Sequence, residues 1–172
     1  AQGEEVVPIS VNFSRRHNEY ADFVPNILKR LKDYKVPSDL LEVEVTESVF
    51  MSDLNKLTNN LETLRDRGVE ISVDDFGSGY SSLAALNRMH FDTIKLDKSL
   101  VDYIGDDNGE KLLNSITKLA QSFGMEITAE GVETVEQLMF LCNLDCDDIQ
   151  GYYFSRPLPV KEYEECLKEA CM

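Results

Sequence analysis

The chain has 172 residues, 42% of them hydrophobic, and a formal net charge of −15. That length suits one domain with a packed core, and the acidity excludes a nucleic-acid groove or an anionic membrane surface, which both select an excess of Lys and Arg. No apolar run reaches the length of a membrane span, and the N-terminal residues do not read as a signal peptide.

Residues 6–11 predict a first strand, with Pro8 at its start or on an unpaired edge, ending at Asn12 and Ser14. Phe23, Val24, Ile27, Leu28 and Leu31 then recur at helical spacing, with Pro25 suited to a first turn and Pro37 as the stop. Residues 40–45 predict a second strand that runs out into Glu44-Val45-Thr46-Glu47. Leu54, Leu57, Leu61 and Leu64 make one apolar helix face, a core stripe, closed by Gly68 as a C′ residue. The third strand, 69–73, delivers Asp74 and Asp75 into a turn where Gly77 and Gly79 can take positive φ.

A short helix over 81–89 and a fourth strand over 93–97 follow. Leu112, Leu113, Ile116, Leu119, Ala120 and Phe123 mark the next helix, closed by Gly124. Residues 125–129 predict a fifth strand ending at Glu130 and Gly131, and Thr134 caps a helix through Leu138 and Leu141. A short sixth strand over 148–152 and a final helix over 160–171 complete the chain. Cys142, Cys146, Cys166 and Cys171 form no C-x-x-C pair, and His17 and His90 are remote from them. They read as reduced thiols of a cytoplasmic protein rather than as a zinc site, and both histidines read as surface or packing residues.

Strand and helix alternate throughout, which predicts an α/β fold with a mainly parallel sheet and helices packed outside it. In such folds the C-terminal ends of the strands meet at one face, where chemistry sits. Asn12, Glu44, Glu47, Asp74, Asp75, Lys95, Glu130 and Gln150 all fall at or just beyond those ends.

Adjacent carboxylates such as Asp74 and Asp75 repel unless a cation lies between them or one keeps its proton. Asn12, Glu44, Asp74, Asp75 and Glu130 are all oxygen donors, a set that suits Mg²⁺, Mn²⁺ or Ca²⁺. Two ions about 3.5–4 Å apart, bridged by Asp74, could activate water for phosphodiester hydrolysis, with Lys95 beside the water or a phosphate oxygen. Each residue also has a plainer use. Asn12 can bond a loop backbone, Glu44 and Glu47 can be solvated strand-end charges, and Lys95 can pair with Asp97. Glu130 and Glu133 can cap the following helix, and Gln150 can be a buried amide pinning the last loop. A Schiff-base role for Lys95 needs an apolar pocket, which the surrounding acids argue against.

The motifs Val11-Asn12-Phe13-Ser14, Glu44-Val45-Thr46-Glu47, Asp74-Asp75-Phe76-Gly77-Ser78-Gly79-Tyr80-Ser81-Ser82-Leu83, Ile94-Lys95-Leu96-Asp97, Ala129-Glu130-Gly131-Val132-Glu133 and Gln150-Gly151-Tyr152-Tyr153-Phe154 stand in this order. Together with Pro157-Leu158-Pro159 they resemble the EAL-domain family of bacterial cyclic-di-GMP phosphodiesterases. The resemblance implies a TIM-like (β/α) barrel that hydrolyses cyclic-di-GMP to linear pGpG with Mg²⁺ or Mn²⁺. It implies Asn12, Glu44 and Asp74 as ligands of one metal, Asp74 and Asp75 reaching the second, and Glu130 as a second-metal ligand or base. Lys95 is implied to position the attacking water, Gln150 to support the site, and Glu47 to anchor the loop around Gly77 and Gly79 that couples to dimerisation.

One family signature, E-x-L-x-R on the first strand, is not in these residues; Glu62-Thr63-Leu64 is followed by Asp66 where Arg is required. A barrel of this kind has eight strands and roughly 250 residues, against six strands expected here. The chain is therefore expected to be a partial domain of an incomplete barrel, its first strands missing and its two-metal site incomplete. Its parent protein is expected to carry a cyclase-like or sensory domain. Weak or absent hydrolysis by these residues alone, and a homo-oligomer covering the open edge, follow as expectations. The alternative is a non-catalytic module that binds cyclic-di-GMP or a partner protein.

Overall fold

The computed structural model describes residues 7–51, 53–77 and 83–170. Six strands, β1 (Ile9–Phe13), β2 (Leu41–Thr46), β3 (Glu70–Phe76), β4 (Thr93–Leu96), β5 (Glu126–Ala129) and β6 (Asp148–Ile149), form one sheet in sequence order. Every neighbouring pair is parallel. Between them run α1 (Arg15–Glu19), α2 (Phe23–Tyr34), α3 (Leu54–Arg65), α4 (Leu83–Arg88), α5 (Lys98–Val101), α6 (Asp107–Ser122) and α7 (Val135–Asn143), and α8 (Val160–Ala170) follows β6. This is the expected α/β architecture.

Side chains alternate across a strand, and here the two faces differ sharply. Val43, Val45, Ile71, Val73, Ile94, Leu96, Ile127 and Ala129 are buried in the apolar core, most of them beside Leu57, Leu61, Leu64 and Leu113 of α3 and α6. The Leu54–Leu64 stripe is thus core. The alternate positions are polar: Ser10, Asn12, Glu42, Glu44, Glu70, Ser72, Asp74, Thr93, Lys95 and Thr128. Ser10 and Glu42 near one edge share a cavity of about 280 Å³ with Lys95, Thr128, Asp148 and Gln150 toward the other. The sheet therefore curls so that its polar face becomes a concave lumen, unlike the lumen of branched apolar side chains usual in such barrels.

Several boundaries differ from expectation. Strand β1 begins three residues later than predicted, and its predicted first residue lies outside the described residues; Pro8 precedes the strand. Strand β3 continues through Asp74 and Asp75 to Phe76. Strand β6 is two residues long because Gly151 turns the chain away. A Cβ at Gly151 would stand 2.1 Å from the Val132 carbonyl oxygen, so only glycine permits this approach.

Helix α6 begins at Asp107 because Asp106 caps it, accepting from the Asn108 and Gly109 N–H groups. Its polar first turn concealed that start. Helix α2 ends on Lys35 in the left-handed region (φ 55°), not at Pro37. Gly68 does take positive φ, but two residues beyond the Asp66 cap of α3. Thr134 caps α7 as predicted, accepting from Gln137 N. Helices α1 and α5 were not foreseen. Among the described residues, no helix is long and apolar enough to cross a membrane.

A candidate cation and phosphodiester site at the strand ends

Register sets the site. Glu44 pairs with Asn12 on one side and with Ser72 on the other, while Thr46 pairs with Asp74. These residues share the concave face. Between Val73 and Phe76 the β3–β4 register shifts, and Asp75 takes φ 55°, a conformation uncommon outside glycine. The bulge thus interrupts the regular strand at the two adjacent carboxylates. Gly77 follows with φ 98° against Leu100.

Lys95 stands at the centre. Its Nζ donates to Glu44 Oε1 at 2.5 Å and to Glu130 Oε1 at 2.6 Å, and lies 3.7 Å from Asp74 Oδ1. The Lys95, Glu44, Asp74 and Glu130 side chains are 10%, 9%, 13% and 20% exposed. Burial alone would lower the Lys95 pKa, but hydrogen bonds to Glu130 and Glu44 outweigh it and hold the ammonium charged well above its usual range. Burial raises the Glu130 carboxyl, opposed by Lys95 and reinforced by the charges of Asp74 and Glu44. Three carboxylates face one ammonium, a formal surplus of two negative charges.

Lys95 does not pair with Asp97, which instead caps α5 by accepting from Ser99 N. Glu130 turns to Lys95, while Glu133 pairs with Lys98 at 3.3 Å, so neither carboxylate caps α7. Gln150 is exposed, not a buried amide, and lines the lumen with Lys95. Its backbone does pin the end of the chain: Gln150 N donates to Ala129 O and its own carbonyl accepts from Val132 N. His17 packs on Phe13 and Phe23 and accepts from Ser14 N, whereas His90 is exposed.

The structure brings Glu44, Asp74, Lys95 and Glu130 into contact, with Asn12 in register beside Glu44, Gln150 in the cavity that Lys95 lines, and Asp75 next to Asp74 at the bulge. The Glu47 side chain and Gly79 lie outside the described residues. Among the described cysteines none forms a disulfide, and burial pushes the Cys146 thiol up to about 12.

The donor set fits a divalent ion. It is all oxygen, and its charge surplus equals that of one dication. Among the described residues no three His, Cys, Asp or Glu side chains are already arranged to hold a metal ion; here the three carboxylates surround the Lys95 ammonium instead. Sequence reasoning passed over Ser72, a buried hydroxyl in an otherwise apolar-looking strand; a lone Ser amid β-branched residues was the available signal.

Residues 1–157 match the family model described as EAL domain. Cyclic di-GMP phosphodiesterase NbdA of Pseudomonas aeruginosa is 38% identical over 167 residues, 96% of this chain and 21% of that protein. The chain spans about a fifth of the length of the curated relatives it matches. Among solved structures, the PaMucR phosphodiesterase in complex with c-di-GMP is 35% identical with a TM-score of 0.84, over 91% of this chain and 64% of that one. Klebsiella pneumoniae BlrP1, solved with manganese and cyclic di-GMP, is 30% identical with a TM-score of 0.80, over 87% of this chain and 39% of that one. The family match covers most of the chain, the fold agrees with these solved structures, and the chain belongs to the EAL-domain family.

Proposed function

We propose that these residues form the six-stranded part of a cyclic-di-GMP phosphodiesterase domain that hydrolyses its substrate to linear pGpG in the bacterial cytoplasm. The observation that carries this reading is the buried ammonium of Lys95 held by carboxylates from β2, β3 and the end of β5. Glu44, Asp74 and Glu130, with Asn12 and Asp75 beside them, would hold Mg²⁺ or Mn²⁺. When bound, such ions supply Lewis-acid charge for the phosphodiester and lower the pKa of water.

The chain's own residues do the rest. Lys95, charged and buried, places positive charge where the phosphodiester gains negative charge, a contribution that is large in a water-poor site. Glu130 would serve either as a ligand of an ion or, released from Lys95, as the base that accepts the proton of an attacking water, a role that its burial-raised pKa suits. Gln150 borders the same lumen and orients groups there.

Strand β1 is a sheet edge with exposed Ile9 and Val11. Two further strands bearing an E-x-L-x-R signature, or a second copy of the domain, would cover it, and a cyclase-like or sensory domain would regulate it. The test is chromatographic detection of pGpG from cyclic-di-GMP with Mg²⁺ or Mn²⁺, using the complete protein. Turnover that Lys95→Ala and Glu44→Gln each reduce by about 100-fold supports the reading. Binding of the dinucleotide with no cation-dependent turnover would assign a receptor instead.

A further inference from the structure

Ser72 is fully buried, and among the described residues its Oγ is the one buried side-chain N or O atom without a hydrogen-bond partner. A buried hydroxyl left without a partner is destabilising, and native proteins rarely keep one without cause. The neighbouring strand positions show what packing alone selects: Ile71 and Val73, both fully buried. Ser72, however, lies on the polar face. Its register partner on β2 is Glu44, its partner on β4 is Thr93, and Asp74 follows two residues later on the same face. It therefore sits directly beneath the cluster.

Glu44 engages Lys95 through Oε1. That short bond draws the carboxylate toward the ammonium. We propose that Ser72 is a positioning residue, whose hydroxyl donates to the Glu44 carboxylate once a divalent cation takes over the contact that Lys95 makes there. Carboxylates that bind metal are themselves hydrogen-bonded as a rule, and those outer partners tune affinity. A serine hydroxyl offers one donor, and an ionised carboxylate accepts only. On this account the lone hydroxyl disfavours the cation-free arrangement and is satisfied in the loaded one, so it biases the site toward binding.

The inference rests on the cation site proposed above, and the two can fail separately. Mn²⁺ affinity, read from the electron paramagnetic resonance of the free ion, is compared between wild type and Ser72→Ala, together with melting temperature in chelator. Ser72→Ala weakens Mn²⁺ binding about tenfold and raises the cation-free melting temperature, because it deletes an unsatisfied group. A role in packing alone would not give these opposite signs. In a Glu44→Gln background the alanine makes no further difference to affinity. Equal Mn²⁺ affinity in wild type and Ser72→Ala, a lowered cation-free melting temperature, or a full loss in the Glu44→Gln background each overturns the role of Ser72 while leaving the cation site intact. Absence of Mn²⁺ binding by the wild type overturns both.

Discussion

Both ends of this sheet gather carboxylates, and they neutralise them differently. At the C-terminal end, Glu44, Asp74 and Glu130 close on a buried ammonium. At the N-terminal end, Glu70, Asp92 and Glu126 border a cavity of about 780 Å³ that Arg65 also lines. There Asp92 accepts from the Arg65 side chain, which is nearly half exposed, and from the buried Ile71 N–H. Asp147 repeats the device two strands later, accepting from Ile127 N. This wider cavity is thus a structural end, where aspartates close the strand starts. The smaller lumen holds the converging chemistry. Size of the opening says little here; the burial of unlike charges together says more.

The contrast can be broken most forcefully at Lys95. Lys95→Met keeps the stem and removes the charge, leaving the three carboxylates without their cation. It should destabilise the fold by about 3 kcal/mol, measured by urea unfolding. Millimolar Mg²⁺ should restore much of that loss. A loss that Mg²⁺ leaves untouched would mean that packing, not charge, dominates there.

A smaller effect is expected at the other end. Asp92→Ala strips the acceptor from the Ile71 N–H and the partner from Arg65, costing about 2 kcal/mol, with no dependence on Mg²⁺. The smallest concerns Glu70, whose pKa is raised by burial and then by Asp92, Glu126, Glu42 and Asp39. A raised acid holds its proton longer in the folded state, so wild type loses stability as pH climbs above the usual value of 4.5. Glu70→Gln removes that loss. Its melting temperature should exceed that of wild type by about 1 °C at neutral pH and match it below pH 4.5.

The sequence exposed the fold where polarity and period agree. Alternation along β2 through β5 is so regular that strand ends, and hence Glu44, Asp74, Lys95 and Glu130, could be placed without coordinates. It failed where polar residues begin an element: Asp107 through Lys111 hide the first turn of α6 because their apolar face starts only at Leu112. It was also silent on backbone geometry. The bulge that separates Asp74 from Asp75 arises from a register shift with β4, which no local pattern encodes. The plainer assignment of Lys95 to Asp97 failed for a related reason: β4 ends at Leu96, Asp97 is taken up as the cap of α5, and the partners of Lys95 come from other strands.

The central claim is that the acids around Lys95, and not those around Asp92, are built to receive a divalent ion. Crystals soaked in Mn²⁺ and measured at the manganese edge test it directly. The account predicts an anomalous peak bounded by Glu44, Asp74 and Glu130, with the Lys95 ammonium displaced from Glu44. A peak beside Glu70 and Glu126 instead, or Lys95 still seated among its three carboxylates with no ion bound, would contradict it.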